Sequence, residues 1–321
     1  MKEYKAVPMR DGYGNALLKL CAADPKVMVL DADVAKSTRT DWIKKEYPDH
    51  FLDMGISEQD MVGTASGMAL GGLIPFCSTY GVFLAGRAWD QIRTTVCYNN
   101  LNVKLGGAHA GLSVGRDGAT HQALEDVAIM RVLPNMTVVV PCDSLETEKA
   151  TLAAAAYPGP VYLRFGREAV PVITDEDTEF EIGRARHVSG PELRNAGEIA
   201  DAAIFANGPM VREAAIAAEK LAAEGITAAV YDLHTVKPLD EEALLAAAES
   251  AKVIVTAEEH QLAGGMGGAV SEFLSVRHPV LMRMIGVDDS FGESGSPDQL
   301  YDKYGLRAEN IAAAARGALG R

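Results

Sequence analysis

The feature that most constrains the fold is an alternation of short apolar runs with stretches of helical periodicity. In the first half of the chain, the apolar runs are VMVLDAD (27–33), LIPFCSTY (73–80), LNVKLGGAH (101–109), MTVVVPCD (136–143) and GPVYLRFGRE (159–168). Helical periodicity lies between them, as in ALEDVAIMRVL and SLETEKATLAAAAY. Because strands that alternate with helices pair in parallel, this pattern predicts a sheet covered by helices on both faces.

The same alternation resumes after a change in composition. ITDEDTEFEIG and SGPELRNAGEIA are acidic, contain Gly or Pro and have little helical pattern, which is typical of a linker. Further strands are predicted in DAAIFANG, ITAAVYDLHTVKPLD, KVIVTAEEH and VLMRMIGV, and helices in PMVREAAIAAEKLAAEG and EEALLAAAESA. We therefore predict an α/β protein of two domains, each a mostly parallel sheet with helices on both faces. The predicted domains are residues 1–170 and 191–321, joined by a linker at 171–190.

Composition narrows the class of protein. The 321 residues are 48% hydrophobic and 23% charged, as expected of a folded chain with two cores. The net charge of -14 argues against nucleic acid or an anionic membrane as the main partner. No apolar run approaches the roughly 20 residues of a membrane span, and the first residues lack the apolar core of a signal peptide. Four cysteines without CxxC spacing indicate reduced thiols, so we expect a cytoplasmic protein.

The stretch FLDMGISEQDMVGTASGMALGG, residues 51–72, places carboxylates where a predicted strand is followed by a helix of small residues. One interpretation is helix chemistry, in which Ser57 caps the helix and Glu58 and Asp60 suit the positive end of its dipole. The other is that Glu58 is a catalytic acid held at the end of a strand. The stretch alone leaves both interpretations open.

Ligands of open parallel sheets bind beyond the carboxyl ends of the strands. Candidate side chains at those ends are Asp31, Asp33, Ser37, Glu58, Thr79, Tyr80, Phe83 and His109. A Gly-rich loop, AGLSVGRDGATHQALED, follows His109 and carries Asp117 and His121. The whole chain has seven histidines, so two of them this close together on a loop with an Asp indicate a functional loop.

This loop has none of the common phosphate or metal motifs. GRDGATH is not followed by the GK[ST] of a Walker loop and does not match GxGxxG. It also lacks the Gly-Asp-Gly with a downstream Asn that would indicate a diphosphate and magnesium site. The chain contains no HExxH or CxxC spacing. We therefore predict no metal ligands and no diphosphate site in this chain.

Several ordered motifs resemble the transketolase family. GISEQDMVGTASGMALGG, PFCSTYGVFLAGRAWDQIR, LNVKLGGAHAGLSVGRDGATHQALEDVAIMRVLPNMTVVVP and GPVYLRFGRE resemble its pyrimidine-binding domain, and TVKPLD and EEHQLAGGMGGAVSE resemble its C-terminal domain. The resemblance covers essentially the whole chain, while the family's N-terminal diphosphate-binding domain has no counterpart. It implies the C-terminal subunit of a split transketolase, an enzyme that uses thiamine diphosphate and Mg²⁺.

The resemblance also implies a reaction and a partner. A transketolase moves a two-carbon ketol unit from a ketose phosphate to an aldose phosphate, as in the pentose phosphate pathway. An N-terminal subunit would hold most of the diphosphate and magnesium, and the enzyme would be a dimer of two-chain units, a heterotetramer. The small residues of MVGTASGMALGG permit close packing across such an interface.

Within this resemblance Glu58 has a role in cofactor activation. The family uses a Glu to hydrogen-bond the cofactor's N1′, which favours the imino tautomer that removes the C2 proton, and Glu58 stands at that position. Tyr80 and Phe83 match aromatic residues that stack on the pyrimidine, with Tyr80 in place of the expected Phe. The capping of the helix would then be left to Ser57.

Substrate contacts are implied as well. His121 matches a residue near the ketose carbonyl, a proton donor and later acceptor, and Asp117 matches a residue that binds a sugar hydroxyl. The matches to the sugar-phosphate positions are Arg10, Ser37, His109 and Arg164, with Arg167 as a competing choice for Arg164. Arg116 stands where an acid is usual, which leaves the sugar substrates open.

Three functions fit these residues. The first is a transketolase half-enzyme. The second is another thiamine enzyme, similar to deoxyxylulose-phosphate synthase or to the β subunit of 2-oxo acid dehydrogenases, although GATHQALEDVAIMR favours transketolase over the dehydrogenase. The third is a non-catalytic paralogue that stabilises a partner, against which the joint presence of Glu58, His109, Asp117 and His121 argues. We expect an enzyme that transfers ketol groups and binds neither nucleic acid nor membrane.

Overall fold

The computed structural model describes residues 4–320. The first half contains β1 (Ala6–Pro8), α1 (Met9–Ala23), β2 (Val27–Asp31), α2 (Ala35–Thr38), α3 (Asp41–Glu46), β3 (Phe51–Asp53), α4 (Glu58–Leu70), β4 (Ile74–Tyr80), α5 (Gly81–Arg87), α6 (Trp89–Gln91), β5 (Lys104–Ala108), α7 (Asp126–Arg131), β6 (Thr137–Val139), α8 (Ser144–Ala156), β7 (Val161–Arg164) and β8 (Ala169–Pro171). Short 3₁₀ segments at Pro48–His50 and Leu112–Asp117 and a π-helical segment at Ile92–Cys97 complete it.

The second half is built in the same way. It contains β9 (Arg186–Ser189), β10 (Ala200–Ala206), α9 (Met210–Ala223), β11 (Ala228–Asp232), β12 (Thr235–Lys237), α10 (Glu241–Ser250), β13 (Ala251–Gln261), α11 (Met266–Arg277), β14 (Leu281–Val287), α12 (Pro297–Lys303) and α13 (Ala308–Leu319). No helix within residues 4–320 is both long and apolar enough to cross a membrane.

The larger sheet has seven strands in the order β12-β6-β7-β5-β4-β2-β3. All of its pairs are parallel except β12 with β6. The carboxyl ends of the parallel strands therefore share one edge, and the loops that follow β2, β3, β4 and β5 meet there. This confirms the predicted parallel sheet, and it places the candidate residues of the sequence at a common edge.

The second sheet has the order β14-β13-β10-β11-β9 and is parallel except for the β11–β9 pair. Two strands, β9 and β12, differ from the sequence expectation. The strand β9 lies inside the predicted linker, where Arg186 forms an ion pair with Asp232 of β11 at 2.9 Å. The strand β12 leaves the second half and pairs with β6, so it extends the first sheet. Both strands are short and depend on partners distant in sequence, which local patterns do not reveal.

The helix α4 has one buried and one open face. Met61, Val62 and Ala65 are fully buried against the first sheet. On the other side, Gly63 and Gly67 are exposed, and a Cβ added at either would meet nothing within 4 Å. These glycines therefore do not serve packing within this chain, and they leave an open surface of small residues beside Glu58.

Candidate active site

Glu58 is the first residue of α4 and lies at the mouth of a cleft of about 640 Å³. The cleft is lined by Ile56, Ser57, Glu58, Gln59, Asp60 and Arg87. Glu58 is only 4% exposed, whereas its neighbours Gln59 and Asp60 are exposed. Ser57 occupies the N-cap position, but its side chain makes no capping hydrogen bond, so the capping role predicted for it is wrong. A carboxylate that is buried and lines a cleft is a stronger sign of function than an exposed acid in the first turn of a helix, which only interacts with the helix dipole.

Arg87 joins Glu58 to Phe83, one of the two predicted aromatic residues. Its Nη1 lies 3.3 Å from Oε1 and 3.4 Å from Oε2 of Glu58. Its Cζ lies 4.0 Å from the centre of the Phe83 ring, a cation–π distance. Phe83 and Arg87 are four residues apart on α5 and so share one helix face. Glu58 and Phe83 therefore belong to one site.

The aromatic rings form a cluster at the ends of β4 and β5. Tyr80 stacks on His109 at 4.1 Å between ring centres and on Phe83 at 5.8 Å. His121 meets both Tyr80 and Phe83 edge-on, at 5.9 Å and 5.3 Å. The parallel sheet thus brings together four residues that are up to 41 positions apart in sequence (80 to 121).

Ser37 links this cluster to Arg10. The Tyr80 hydroxyl donates to Ser37 Oγ at 3.0 Å, and Arg10 Nη1 donates to the Ser37 carbonyl at 3.0 Å. Arg10 Nε is buried and has no hydrogen-bond partner among the described residues. Burial, and then the charge of Arg39, lowers the pKa of Arg10. Arg10 and Ser37 therefore lie together, as the sequence predicted. Among the described residues the N–H of Arg10 Nε has no acceptor, so it can donate to a ligand.

Asp31 at the end of β2 holds the turn that presents Ser37. Its Oδ1 accepts from the Val34 N–H at 2.7 Å, and its Oδ2 accepts from the hydroxyls of Thr38 and Thr40 at 2.7 and 2.8 Å. The carboxyl group is fully buried, and burial raises its pKa to about 6. Asp31, a strand-end candidate from the sequence, therefore supports the site and does not face the cleft.

His109 is a buried, neutral imidazole. It is 1% exposed and adopts φ +56°, a left-handed conformation that is uncommon for residues other than Gly, although Asn, Asp and His adopt it more often than most. Burial, followed by the charges of Arg10 and Arg167, lowers its pKa to about 3. Its Nδ1 is buried without a partner among residues 4–320. His109 is thus an uncharged hydrogen-bonding group beside two cations.

The Gly-rich loop carries Asp117, which pairs with Arg167 at 3.1 Å. The second half of the chain fixes this loop, because Glu259 Oε1 accepts from the Ser113 N–H at 2.5 Å. Gly111 is required at that contact, since an added Cβ would lie 2.4 Å from the Glu259 carboxylate carbon. The loop that presents Asp117 and His121 is therefore positioned by both halves of the chain.

Arg164 does not join this group. Its Nε donates to both oxygens of Asp126 at 3.1 and 3.0 Å, and its Nη2 donates to the carbonyls of Ala123 and Glu259 at 3.0 and 2.8 Å. The side chain is 4% exposed. Because these internal acceptors engage the guanidinium, the structure contradicts the phosphate role expected of Arg164. Arg167 lies beside Asp117 and is 34% exposed.

Sequence reasoning missed Arg87 and the partners of Arg164. The position of Arg87 one helical turn after Phe83 was the signal that could have found it. Asp126 and Glu259 carry no such local signal. They are 133 residues apart and come together at the contact between the two halves (259 − 126).

The pyrimidine end of thiamine diphosphate fits the residues present. The Phe83 ring can stack on a planar group, as its contact with the Arg87 guanidinium shows. Glu58 provides a buried carboxyl group that is hydrogen-bonded to the same guanidinium. A group of three side chains with metal-ligand geometry in the described chain, Cys142, Glu146 and Asp232, is fully buried and does not line this cleft. The fit therefore concerns the pyrimidine alone.

Comparison with known proteins gives a consistent result. The family profile "Transketolase, pyrimidine binding domain" matches residues 5–172, and "Transketolase, C-terminal domain" matches residues 194–311. A "Putative transketolase C-terminal section" of Methanocaldococcus jannaschii is 42% identical over 308 residues, which are 95% of this chain and 94% of that protein.

Two further proteins are similar over nearly their whole length. The "6-deoxy-6-sulfo-D-fructose transketolase subunit SqwH" of a Clostridium species (strain MSTE9) is 41% identical over 96% of this chain and 93% of its own. A solved structure, "Split gene transketolase, inactive beta4 tetramer", is 45% identical, covers 98% of this chain and 99% of its own, and superposes with a TM-score of 0.89.

Proposed function

The chain belongs to the transketolase family, and we propose that it is the C-terminal subunit of a split, thiamine-diphosphate-dependent transketolase. It would transfer a two-carbon ketol unit from a ketose to an aldose, each with an anionic end group. One observation carries this proposal: Glu58, Phe83, Tyr80, His109 and His121 lie in one connected cluster.

Glu58 is proposed to hold the aminopyrimidine of the cofactor. When bound, thiamine diphosphate supplies a nucleophilic carbon that receives the ketol unit. Glu58 would donate a proton to a ring nitrogen of the pyrimidine, while the ring rests on Phe83. Tyr80 would hold Phe83 in position for this contact, because its ring is stacked on both Phe83 and His109.

His121 and Asp117 are proposed to act on the sugar. His121 lies edge-on to Phe83, so it borders the place proposed for the cofactor ring. From there it can donate a proton to the substrate carbonyl oxygen and later accept it. Asp117 is held by Arg167 at 3.1 Å, and its carboxylate can accept a hydrogen bond from a sugar hydroxyl.

The anionic end of the sugar is proposed to bind Arg10, Ser37, His109 and Arg167. Arg10 and Ser37 are hydrogen-bonded to each other, and both Arg10 and Arg167 are close enough to lower the pKa of His109. Arg10 Nε and His109 Nδ1 are unpaired donors or acceptors within this group. Charge-assisted bonds from guanidinium groups suit a phosphate or a sulfonate, and a relative is named for a sulfo-sugar.

A second polypeptide is proposed to complete the site. It would be an N-terminal transketolase subunit that holds the diphosphate and Mg²⁺, and two such pairs would form a heterotetramer in the cytoplasm. The open face of α4, with the exposed Gly63 and Gly67, lies next to Glu58 and accepts close packing. The chain's similarity to a C-terminal section and to a split-gene enzyme supports this arrangement.

Reconstitution tests the proposal. The purified chain is mixed with an N-terminal transketolase subunit from the same source, thiamine diphosphate and Mg²⁺, and ketol transfer between sugar phosphates is measured. We expect transfer by the mixture and none by either subunit alone. The Glu58→Gln mixture serves as the control for site-dependent turnover. A mixture that forms a complex and transfers no ketol unit from any donor would refute the proposed reaction.

A further inference from the structure

The guanidinium of Arg87 engages both residues proposed to receive the pyrimidine. It donates to Glu58 at 3.3 and 3.4 Å, and it stacks on Phe83 at 4.0 Å. A guanidinium is planar, carries hydrogen-bond donors and stacks on aromatic rings. An aminopyrimidine is also planar and can stack on the same ring, and its ring nitrogen would meet the same carboxyl group as an acceptor. Arg87 therefore contacts the two residues that the ring would contact, with the hydrogen bond to Glu58 running in the opposite direction.

The two groups cannot hold these contacts together. The Phe83 ring is stacked with Tyr80 at 5.8 Å between centres and meets the edge of His121 at 5.3 Å. The guanidinium of Arg87 is a third neighbour of this ring, 4.0 Å from its centre. Stacked aromatic rings need about 4.5 Å or more between their centres, so a ring does not fit between Phe83 and a guanidinium 4.0 Å away.

We infer that Arg87 is a placeholder, which keeps Glu58 and Phe83 in position until the cofactor's pyrimidine replaces it. This inference rests on the proposed function. The exchange also moves a proton. Glu58 accepts from Arg87 as a carboxylate, whereas it must carry a proton to donate to a ring nitrogen. Arg87 keeps its own charge and turns into solvent, and Glu58 takes up one proton supplied by an acid of the buffer, whose conjugate base stays in solution.

The side chain of Arg87 can turn without disturbing the helix. It is 50% exposed, and the described residues give it no acceptor other than Glu58. The carbonyl of Arg87 is held separately, because Gln59 Nε2 donates to it at 3.0 Å. A half-exposed ion pair and one cation–π contact are weak interactions. The contacts of Arg87 with Glu58 and Phe83 are therefore weak enough for a ligand to displace them.

The experiment measures binding of 4-amino-5-hydroxymethyl-2-methylpyrimidine to the purified full chain by NMR titration up to about 20 mM. Arg87→Met removes the charge and the donors while keeping an unbranched side chain. Arg93→Met is the matched control, because Arg93 is an exposed arginine outside the cleft. Glu58→Gln, alone and combined with Arg87→Met, reports whether the probe binds at this site.

We expect Arg87→Met to bind the probe about fivefold more tightly than the native chain, a gain that fits the loss of two weak competing contacts. Arg93→Met should match the native chain, and Glu58→Gln should weaken binding in both backgrounds. Equal or weaker binding by Arg87→Met, with the Glu58 effect intact, overturns the placeholder and leaves the proposed function standing. Binding that is undetectable in all variants, or independent of Glu58, overturns the placeholder, and the reconstitution assay decides the proposed function separately.

Discussion

The guanidinium of Arg164 is bonded to both carboxylate oxygens of Asp126, although the sequence motif around Arg164 resembles one that binds substrate. Nε makes those bonds, and Nη2 donates to the Glu259 carbonyl in the second half of the chain. Arg164 and Asp126 are 4% and 1% exposed. The buried pair and its bond to Glu259 therefore form part of the junction between the two halves. This structural role of Arg164 can be distinguished from substrate binding by experiment.

Arg164→Met should destabilise the chain without a specific effect on phosphate recognition. Removing one partner of a buried ion pair leaves an uncompensated charge, which typically costs about 3–5 kcal/mol. The free energy of unfolding, measured in urea, should fall by that order. Arg167→Met, which removes a partly exposed arginine on the same segment, should change it by about 1 kcal/mol or less. Similar losses in the two variants would contradict this assignment.

Arg167→Ala should weaken the use of phosphorylated donors. Loss of a charge-assisted hydrogen bond at a partly exposed site corresponds to a rise in KM of roughly tenfold. An unphosphorylated ketose donor, assayed with the same reconstituted enzyme, is the internal control and should be affected much less. Equal increases in KM for both donors would show that Arg167 acts on the loop through Asp117 and does not bind the anion.

Glu146→Gln should change how stability depends on pH. Burial, followed by the charge of Asp232, raises the pKa of Glu146 to about 8. The native state then holds a proton that the unfolded chain has lost above its ordinary pKa of 4.5. The contribution of Glu146 to stability is therefore complete below pH 4.5 and falls as pH rises toward 8.

Gln resembles the protonated Glu146, so the variant should gain stability relative to the native chain across this pH range. The steepest gain is about 1.4 kcal/mol per pH unit for one proton. Urea unfolding between pH 5 and 8 measures it. Glu148→Gln changes a less buried acid on the same helix and should give a much flatter difference. A difference that does not depend on pH for Glu146→Gln would mean that this group is ionised in the native chain.

Glu58→Gln should slow proton exchange at C2 of thiamine diphosphate in the reconstituted enzyme. General acid–base groups typically contribute about 10²–10⁴-fold, so a loss of that order is expected while the fold is kept. Hydrogen–deuterium exchange followed by NMR measures the rate. Asp90→Asn, which changes an exposed acid outside the cleft, is the control and should exchange at the native rate. Exchange by Glu58→Gln at the native rate would remove Glu58 from the chemistry.

The sequence predicts the architecture of the site well because a parallel sheet gathers the residues that follow its strands. Tyr80 is the last residue of β4 and His109 follows the neighbouring strand β5, and their rings stack at 4.1 Å. The same argument cannot decide between Arg164 and Arg167. Arg164 is the last residue of β7, and Arg167 lies three positions further along the chain. Only the positions of Asp126 and Glu259, which bind the Arg164 guanidinium, show that Arg164 is the arginine at the junction of the two halves.

Other features depend on contacts that no local pattern encodes. Ser57 stands at a favourable capping position, yet its hydroxyl makes no bond to the helix. The strand β12 is three residues long and exists because it pairs with β6 of the other half. Its partner is set by the packing of the two halves, so the alternation of apolar and helical segments could not place it in the first sheet.

This chain is proposed to provide half of a cofactor site, with the other half on an N-terminal subunit. Isothermal titration calorimetry of thiamine diphosphate with Mg²⁺ tests it directly, first on the purified chain and then on the chain mixed with that subunit. A site divided between two subunits should give no tight binding by the chain alone, and clear binding accompanied by ketol transfer once the two are mixed. Tight binding and turnover by this chain without a partner would contradict it.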